Sequence, residues 1–316
     1  MNAHLIKGGV TTPAGFVAAG VYCGIKKPTH AHPLDLCLIA STSGPVPAAA
    51  VFTTNLAVAA PVVVSREHLT RAGGLCAGAV VNSGCANAVT GEAGMAVAKG
   101  MAGAAAEALG VSDEFIFVSS TGVIGVPLSL TKVRAGITAA KAALSVDGND
   151  NATTAIMTTD PFPKSCAAYI DTPNGRVTVG GITKGSGMIE PRMATMLGFL
   201  TTDAKVAPEV LQIALRRVCD ETFNAITVDG ECSTNDCVLL MASGASGVEI
   251  TDPCDPALVE PLRAVAGHLA REIVRGGEGA TKLVTIRVTG AASLDDARLG
   301  ARTIANSPLV KTAIHG

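Results

Sequence analysis

A threonine at the end of a stretch of small residues is the first feature of the chain that suggests chemistry. Thr195 follows Ala194 and closes the segment that runs from Lys184, just past the middle of the 316 residues. A threonine hydroxyl is a weak nucleophile unless a base lies beside it, and an N-terminal threonine carries that base as its own α-amine. Thr195 reaches this state only if the bond before it is cleaved. Taken alone, the pattern is more typical of a glycine-rich turn before an apolar run.

The same segment resembles the self-cleavage motif of the ornithine acetyltransferase (glutamate N-acetyltransferase) family. That motif is roughly Lys-Gly-x-Gly-Met-Ile-x-Pro-x-Met-Ala-Thr-Met-Leu, and residues 184–197 match every fixed position. Other blocks that resemble the family occur in the family's order, at residues 8–11, 82–84, 120–125, 156–160, 233–236 and 278–282. The resemblance therefore extends over the whole chain and is specific.

The resemblance implies an enzyme of arginine biosynthesis that moves an acetyl group from N2-acetyl-L-ornithine to L-glutamate. Thr195 is then the nucleophile of a ping-pong reaction, and it carries the acetyl group between the two substrates. The chain is expected to cleave its own Ala194-Thr195 bond, which gives an alpha piece of residues 1–194 and a beta piece of residues 195–316. No cofactor is expected. Whether acetyl-coenzyme A is a further acetyl donor stays open.

The resemblance also assigns the remaining site residues. Thr121 and Gly122 become the oxyanion hole, although a Thr-Gly pair at a strand end is by itself equally typical of a tight turn. Lys184 is expected to bind the substrate carboxylate as a compact charge. The other substrate-binding residues are Thr158, Thr159 and Glu278, of which Glu278 pairs with the ornithine ammonium. Without the resemblance, Lys184 and Glu278 would most often be solvated surface charges.

A loop rich in glycine and asparagine adds weaker candidates. Asn82 and Asn87 are plausible supports of the site, and Cys85 stands where the family more often has asparagine, so the role of this loop stays open. The nine cysteines are scattered without a Cys-x-x-Cys pair, and His30 and His32 have no second ligand pair at zinc-site spacing. We therefore expect reduced thiols and no metal.

Composition excludes several classes of function. A formal net charge of -2 with mixed signs offers no basic face for nucleic acid, and 3% aromatic residues offer few stacking platforms. Residues 36–65 lack charge, but prolines, glycine and asparagine interrupt them, so we expect short strands and no membrane helix. No signal peptide is visible at the N-terminus. A cytoplasmic enzyme with small-molecule substrates fits these observations, and the family resemblance implies a heterotetramer of two alpha and two beta pieces.

The elements that must position these residues alternate between strands and single helices. The patterns predict strands at 36–40, 49–53, 61–65, 78–82, 115–119, 166–171, 175–183, 196–201, 225–228, 237–242 and 282–289. They predict helices at 91–109, 133–144, 207–223, 256–275 and 295–306, and a polar turn at 147–151. This order indicates an α/β (α+β) protein. The resemblance implies an α-β-β-α sandwich of the self-processing ornithine acetyltransferase and DmpA-aminopeptidase type.

Two other functions remain open at this stage. Relatives of the family continue beyond residue 316 with an Asp-Pro-Asn-Trp-Gly-Arg block, so we expect a beta piece that is truncated and a pocket that lacks one wall. One alternative is therefore an inactive remnant. The other is a related self-processing hydrolase or aminopeptidase with the same N-terminal nucleophile, although such an enzyme has no need of both Lys184 and Glu278.

Overall fold

Two β-sheets form the framework of the computed structural model, which describes residues 2–190 and 196–316. The strands are β1 (His4–Ile6), β2 (Phe16–Val21), β3 (Leu36–Ser41), β4 (Val46–Phe52), β5 (Leu75–Cys76), β6 (Gly78–Cys85), β7 (Ile116–Val123), β8 (Lys164–Thr172), β9 (Gly175–Lys184), β10 (Leu197–Thr202), β11 (Lys205–Val206), β12 (Cys237–Ala242) and β13 (Glu249–Ile250). The helices are α1 (Ala60–Arg71), α2 (Gly91–Leu109), α3 (Leu130–Ala143), α4 (Asn149–Ile156), α5 (Pro208–Glu221), α6 (Pro256–Arg275), α7 (Leu294–Asn306) and α8 (Pro308–His315).

The larger sheet has seven strands in the order β1-β8-β9-β10-β12-β4-β5, and the smaller has four in the order β2-β3-β6-β7. β10 pairs in parallel with β12, β6 pairs in parallel with β7, and the other neighbours in these sheets are antiparallel. Every residue of β10 and β12 is buried. Their sequences are nearly continuous apolar runs because both faces of these central strands are covered.

The two sheets pack face to face, and helices cover both outer faces. Side chains of β2, β3 and β6 meet those of β9, β10 and β12 in one core between the sheets, where α4 also inserts its apolar face. Helices α5 and α6 bury their apolar stripes on the seven-stranded sheet. Helices α1, α2 and α3 do the same on the four-stranded sheet. This layer order confirms the predicted α-β-β-α sandwich.

Three predicted strands are wrong, and each failure has a local cause. Residues 61–65 open helix α1, where Pro61 occupies the first turn and needs no N–H partner. Residues 225–228 follow a short 3-10 turn at Phe223–Ala225 and form no strand. Residues 282–289 alternate as a strand does, but no described strand pairs with them. A strand exists only where a neighbouring backbone completes its hydrogen bonds.

Most predicted helices are confirmed with boundaries shifted by a few residues. The helix predicted over 91–109 is α2, and Gly110 ends it in the left-handed conformation expected of a C-terminal cap. The predicted polar turn at 147–151 instead leads into α4, which was missed because a helix of eight residues gives little periodicity. Helices α7 and α8 contain no buried residue. None of the described helices has the length and hydropathy needed to cross a bilayer.

Two glycines with opposite surroundings provide a test of this packing. A Cβ on Gly180 in β9 would lie 1.9 Å from the carbonyl oxygen of Gly9, whereas a Cβ on Gly103 in α2 would meet no atom within 4 Å. We expect Gly180→Ala to lower the free energy of unfolding by about 1–3 kcal/mol because backbone must move. Gly103→Ala should raise it by about 0.5–1 kcal/mol through helix propensity. Urea unfolding of both variants measures these changes, and equal shifts would contradict the packing described here.

Candidate active site

The start of β10 lies in the centre of the larger sheet, next to the predicted substrate-binding residue Lys184. The predicted nucleophile Thr195 precedes it in the chain. Leu197 stands opposite Lys184 of β9 on one side and opposite Cys237 of β12 on the other. The Met196 N–H donates to Asp236 Oδ1 at 3.0 Å. The predicted cleavage bond, Ala194-Thr195, precedes Met196 and lies outside the described residues. The role of Thr195 as nucleophile therefore stays a prediction. The residues around Met196, which follows Thr195, are described below.

Lys184, the last residue of β9, is buried. Only 3% of the residue is exposed. In the described part of the chain, no ion pair or hydrogen bond engages its ammonium. Burial lowers the pKa of Lys184, while the charges of Asp160, Asp236 and Glu278 oppose that shift. A buried charge without a partner is costly, and an anionic ligand would relieve the cost. Lys184 is therefore not a solvated surface charge, and its role in binding a substrate carboxylate stays a prediction.

An ion pair next to Lys184 holds the Thr158 segment in place. Asp160 Oδ1 accepts hydrogen bonds from Lys164 Nζ at 2.6 Å and from the Gly185 N–H at 2.8 Å, and both charged side chains are fully buried. Asp160 Oδ2 accepts from the Thr158 N–H at 3.1 Å. Burial works against the charged form of Asp160, but Lys184, Lys164 and the Gly185 N–H outweigh it and lower its pKa. This carboxylate therefore stays ionised and ties Thr158 to the end of β9.

Lys26 anchors the same segment from the opposite side. Its ammonium donates to the carbonyl oxygens of Leu34 and Met157, each at 2.7 Å, and of His32 at 3.1 Å. Burial lowers the pKa of Lys26 to about 8, against the charges of Asp35 and Asp160. Because Met157 directly precedes Thr158, this lysine fixes the backbone at one of the predicted substrate-binding threonines. Its three donors are used on backbone carbonyls, so it is not a ligand for substrate.

Glu278 reaches the site from the end of α6. Its backbone N–H donates to the Ser186 carbonyl oxygen at 3.1 Å, and its carboxyl lies over Gly187, where a Cβ would stand 2.9 Å from the carboxyl carbon. Glu278 is exposed, in contrast to Lys184. The buried Lys184 and the accessible Glu278 carboxylate are thus both placed at the 184–187 segment, the first as its residue and the second through contacts with Ser186 and Gly187.

Thr121 and Gly122 end strand β7 of the smaller sheet. Gly122 has φ 131°, and a Cβ there would lie 2.3 Å from the Gly84 carbonyl carbon, so only glycine fits. Thr121 is buried, whereas Gly122 is exposed. The backbone at this strand end is thus both unusual and accessible, as an anion site built from an N–H requires. The oxyanion role of the pair stays a prediction.

The Gly/Asn-rich loop packs against this strand end and supports it. Asn82 Nδ2 donates to the Cys85 carbonyl oxygen at 2.8 Å, and Asn82 Oδ1 accepts from Ser120 Oγ at 2.6 Å. Cys85 Sγ contacts the Val126 carbonyl oxygen at 3.2 Å, and burial raises the pKa of this thiol. Asn87 Nδ2 donates to Gly94 O at 2.9 Å. These contacts give the loop a supporting role. They engage the side chains of Asn82, Cys85 and Asn87, none of which is directed at Lys184.

The structure brings most predicted site residues toward one place and adds others that the sequence did not single out. Lys184 is the last residue of β9, Asp160 links Thr158 to the next residue, Gly185, and the Glu278 carboxyl lies over Gly187. Thr159 is an exposed neighbour of Thr158. The added residues are Lys26, Asp160, Lys164, Asn235 and Asp236. Three of these belong to the blocks 156–160 and 233–236 that matched the family, which was a usable signal. These five residues are buried by strands that are distant in the chain, so no local sequence pattern indicated their burial.

Asp236 is the most perturbed of the added residues. It is fully buried, its Oδ1 is bound to Met196, and its Oδ2 has no hydrogen-bond partner among the described residues. Burial raises its pKa well above the usual range, against the Met196 N–H and the Lys184 charge. Burial thus disfavours the charged form of this carboxyl, which the Met196 N–H and the Lys184 charge support.

A separate cavity of about 1530 Å³ lies between α6, the 278–288 segment, α7 and α8. Of the predicted site residues that the structure describes, only Glu278 borders it. Its size reflects how loosely the C-terminal helices pack on the rest of the chain. The candidate site lies instead at the start of β10, where the buried ionisable groups are.

The buried ion pair gives a prediction on stability. Asp160→Asn leaves Lys164 buried without its counter-charge, so we expect a loss of about 3–5 kcal/mol in the free energy of unfolding at pH 7. The matched control is Asp171→Asn, which breaks the exposed pair with Arg176 and should leave the free energy of unfolding nearly unchanged. Denaturant unfolding of the two variants measures the difference, and equal losses would contradict the burial of the pair.

The same carboxylate gives a pH dependence. Because the pKa of Asp160 is lowered in the folded state, its contribution is present above the unfolded pKa of about 3.9 and is lost as the pH falls below that value. The parent should therefore lose stability more steeply than Asp160→Asn between about pH 5 and pH 3. Parallel curves for the two proteins would contradict the lowered pKa.

Known proteins resemble this chain along nearly all of its length. The ArgJ family model matches residues 17–316. The arginine biosynthesis bifunctional protein ArgJ of Symbiobacterium thermophilum is 54% identical over 314 residues, which cover 98% of this chain and 77% of the relative. The protein of the same description from Chlorobaculum tepidum is 47% identical over 306 residues, which cover 96% of this chain and 74% of the relative.

Solved structures agree with the sequence relatives. The crystal structure of arginine biosynthesis bifunctional protein ArgJ from Bacillus halodurans is 34% identical with a TM-score of 0.55, and it covers 62% of this chain and 100% of its own. Ornithine acetyltransferase from Mycobacterium tuberculosis, solved with ornithine, is 39% identical with a TM-score of 0.54, over 60% of this chain and 98% of its own. A Burkholderia β-aminopeptidase at 13% identity and a TM-score of 0.51 shares the fold alone. The family model, the identities and the shared sandwich together show that this chain belongs to the ArgJ family.

Proposed function

We propose that this chain is a glutamate N-acetyltransferase that takes the acetyl group of N2-acetyl-L-ornithine and gives it to L-glutamate. The observation that carries the proposal is the burial of Lys184 beside the start of β10, where no described residue forms an ion pair or hydrogen bond with its ammonium. Both substrates carry an α-carboxylate, which this cation can bind in each half of the reaction. The Mycobacterium tuberculosis relative, solved with ornithine, supports the substrate class.

The proposed first step is self-cleavage. The Thr195 hydroxyl oxygen attacks the Ala194 carbonyl carbon, and the amide nitrogen of Thr195 leaves and takes up a proton, which gives an ester. Water hydrolyses that ester and leaves a carboxylate on Ala194 and a free α-amine on Thr195. The pieces are residues 1–194 and 195–316, and the first is about 61% of the chain. The two solved family members, covered almost entirely, match 62% and 60% of this chain, which supports a relative divided at this position.

Acetyl transfer then follows in two steps. The Thr195 hydroxyl attacks the acetyl carbonyl while the α-amine takes its proton, and ornithine leaves with that proton on its nitrogen. The amine of glutamate next attacks the acetyl-threonine ester and restores the hydroxyl. Each step passes through an oxyanion that Thr121 and Gly122 stabilise with a hydroxyl and a backbone N–H. The positive φ and the accessibility of Gly122 support this assignment.

Substrate selection follows from two charges, Lys184 at the end of β9 and Glu278 after α6. Lys184 binds the α-carboxylate of either substrate, and Glu278 pairs with the side-chain ammonium that ornithine has and glutamate lacks. Thr158 and Thr159 supply hydroxyl groups next to Lys184, and Asp160 and Lys26 hold their backbone in place. Acetyl-coenzyme A as an additional donor would need no further cofactor.

The charge pair favours a transferase over a self-processing aminopeptidase. A peptidase that shares only the fold has no need of a buried cation together with a carboxylate for a free diamino acid. Release of acetate, or cleavage of a peptide amide without an acceptor amine, would instead support the hydrolase. We further propose that the protein works in the cytoplasm as two alpha and two beta pieces.

Self-cleavage is tested by intact mass under denaturing conditions. We expect two pieces of 194 and 122 residues from the parent and one uncleaved chain from Thr195→Ala. Thr201→Ala, which removes a buried hydroxyl that donates to the Val10 carbonyl oxygen, is the matched control and should cleave as the parent does. A single uncleaved mass for a folded parent would contradict maturation by this chain and would favour the inactive remnant.

Substrate recognition is tested by separating the two half-reactions. Lys184→Met should lower kcat/KM about 10- to 100-fold for both acetylornithine and glutamate, since both lose a charge-assisted hydrogen bond. Glu278→Gln should lower it for acetylornithine alone. Single-turnover measurements of acetyl-enzyme formation and of its reaction with glutamate give the two values, with the exposed Glu249→Gln as control. Equal effects of Glu278→Gln on both half-reactions would contradict its role.

A further inference from the structure

The proposed site is assembled from two different sheets, and this creates a positioning problem. Thr121 and Gly122 end β7 in the smaller sheet, whereas Lys184 and the start of β10 belong to the larger sheet. An oxyanion donor works only at about 2.7–3.1 Å from the developing charge. Apolar contacts between sheets are not directional, so they do not set such a distance by themselves. Some directional contact must link the two halves.

Asn235 makes contacts of this kind from the segment just before β12. Its side chain is buried, with 5% of the residue exposed. Its Nδ2 donates to the Ala86 carbonyl oxygen at 2.7 Å and to the Ser120 carbonyl oxygen at 2.9 Å. Its Oδ1 accepts from Thr234 Oγ1 at 2.5 Å. Both amide hydrogens are therefore used on backbone of the smaller sheet and its loop.

The two carbonyls that Asn235 holds lie on either side of the predicted oxyanion hole. Ser120 directly precedes Thr121, and the Ala86 N–H donates to the Val123 carbonyl oxygen at 2.9 Å. Gly122 lies between these two points and packs against the Gly84 backbone. A shift of the Asn235 amide would therefore move the backbone on both sides of Gly122.

The next residue, Asp236, holds the other half of the site. Its Oδ1 accepts the Met196 N–H at 3.0 Å, and the Cys237 N–H donates to the Met196 carbonyl oxygen at 3.3 Å. The Cα atoms of adjacent residues are separated by a fixed distance of about 3.8 Å. Asn235 and Asp236 therefore couple the oxyanion strand to the start of β10 through a single peptide unit.

We propose that Asn235 is a positioning residue that fixes Thr121 and Gly122 relative to the start of β10 and thereby controls the rate of acetyl transfer. The inference rests on the proposed function, because the oxyanion role of Thr121 and Gly122 belongs to it. Among the described residues, the Asn235 side chain forms hydrogen bonds with Ala86, Ser120 and Thr234. Its two donors are spent on Ala86 and Ser120, and its effect passes through their backbone.

A matched control separates positioning from general stabilisation. Gln212 in α5 also uses a side-chain amide on backbone, since its Nε2 donates to the Ala50 carbonyl oxygen at 3.1 Å and its Oε1 accepts from the Ala50 N–H at 3.3 Å. This contact ties α5 to β4, away from β7. Gln212→Ala thus removes the same number of amide hydrogen bonds to backbone without touching the proposed link.

The kinetic test compares Asn235→Ala and Gln212→Ala with the self-cleaved parent. We expect Asn235→Ala to lower kcat about 10- to 100-fold and to change the KM for acetylornithine less than about threefold, because a displaced oxyanion donor acts on the transition state. Gln212→Ala should keep kcat within about twofold. Asn235→Ser retains one donor and should give an intermediate kcat if the alanine variant does not fold. A kcat for Asn235→Ala that equals the control overturns the proposal.

A double-mutant cycle with Thr121→Ala distinguishes the two proposals. If both residues act through one oxyanion hole, the double variant should lose much less rate than the product of the single losses. Multiplicative losses overturn the positioning role of Asn235 while leaving the oxyanion hole intact. An unchanged kcat in Thr121→Ala would instead contradict the oxyanion part of the proposed function.

Hydrogen exchange supplies a measurement that needs no activity. Amides in residues 84–88 and 120–126 should exchange at least about tenfold faster in Asn235→Ala than in the parent, because the carbonyl anchors on both sides are lost. The same amides should be unchanged in Gln212→Ala. Unchanged exchange in Asn235→Ala overturns the proposal even if the protein shows no acetyl transfer.

Discussion

The burial of Lys184 is the constraint on which the organisation of the site depends. An ammonium taken out of water must find compensation, and here the nearest carboxylates interact with it electrostatically without forming an ion pair. Asp160 is committed to Lys164, and Asp236 is committed to the backbone of Met196. The surrounding charges therefore tolerate the cation but do not neutralise it by contact. Under the proposed function, the substrate carboxylate supplies the contact that no described residue makes with this ammonium.

The surrounding fold explains how this balance is maintained. β9, β10 and β12 are central strands covered on both faces, so water does not reach Lys184 from the sides. Buried polar groups at this depth are held by hydrogen bonds to backbone: Lys26 on three carbonyls, Asn235 on two, and Asp160 on two N–H groups. Directional bonds of this kind give the interior a single arrangement, which apolar packing alone specifies less strongly.

Local pattern predicted much of the fold, and the residue types in the motif blocks predicted most of the candidate site. Periodicity located α2, α5 and α6 because long amphipathic helices repeat their signal over several turns. It misassigned residues 61–65, where a run of valines concealed a helix with a proline in its first turn. It also misassigned residues 282–289, which alternate as a strand does but have no partner strand among the described residues. The role of Asp236 depends on which strands become neighbours. That information is spread over the chain and not contained in any segment.

The strand order has a consequence for a chain that is cut before Met196. β10 and β12 would belong to the second piece, yet their outer neighbours in the sheet, β9 and β4, would belong to the first. The two pieces would thus be interleaved within one hydrogen-bonded layer, and neither would keep an intact sheet on its own. Dissociation would require global unfolding, so the break would leave the hydrodynamic size of the native protein unchanged. Maturation would alter the covalent structure without creating a separable subunit.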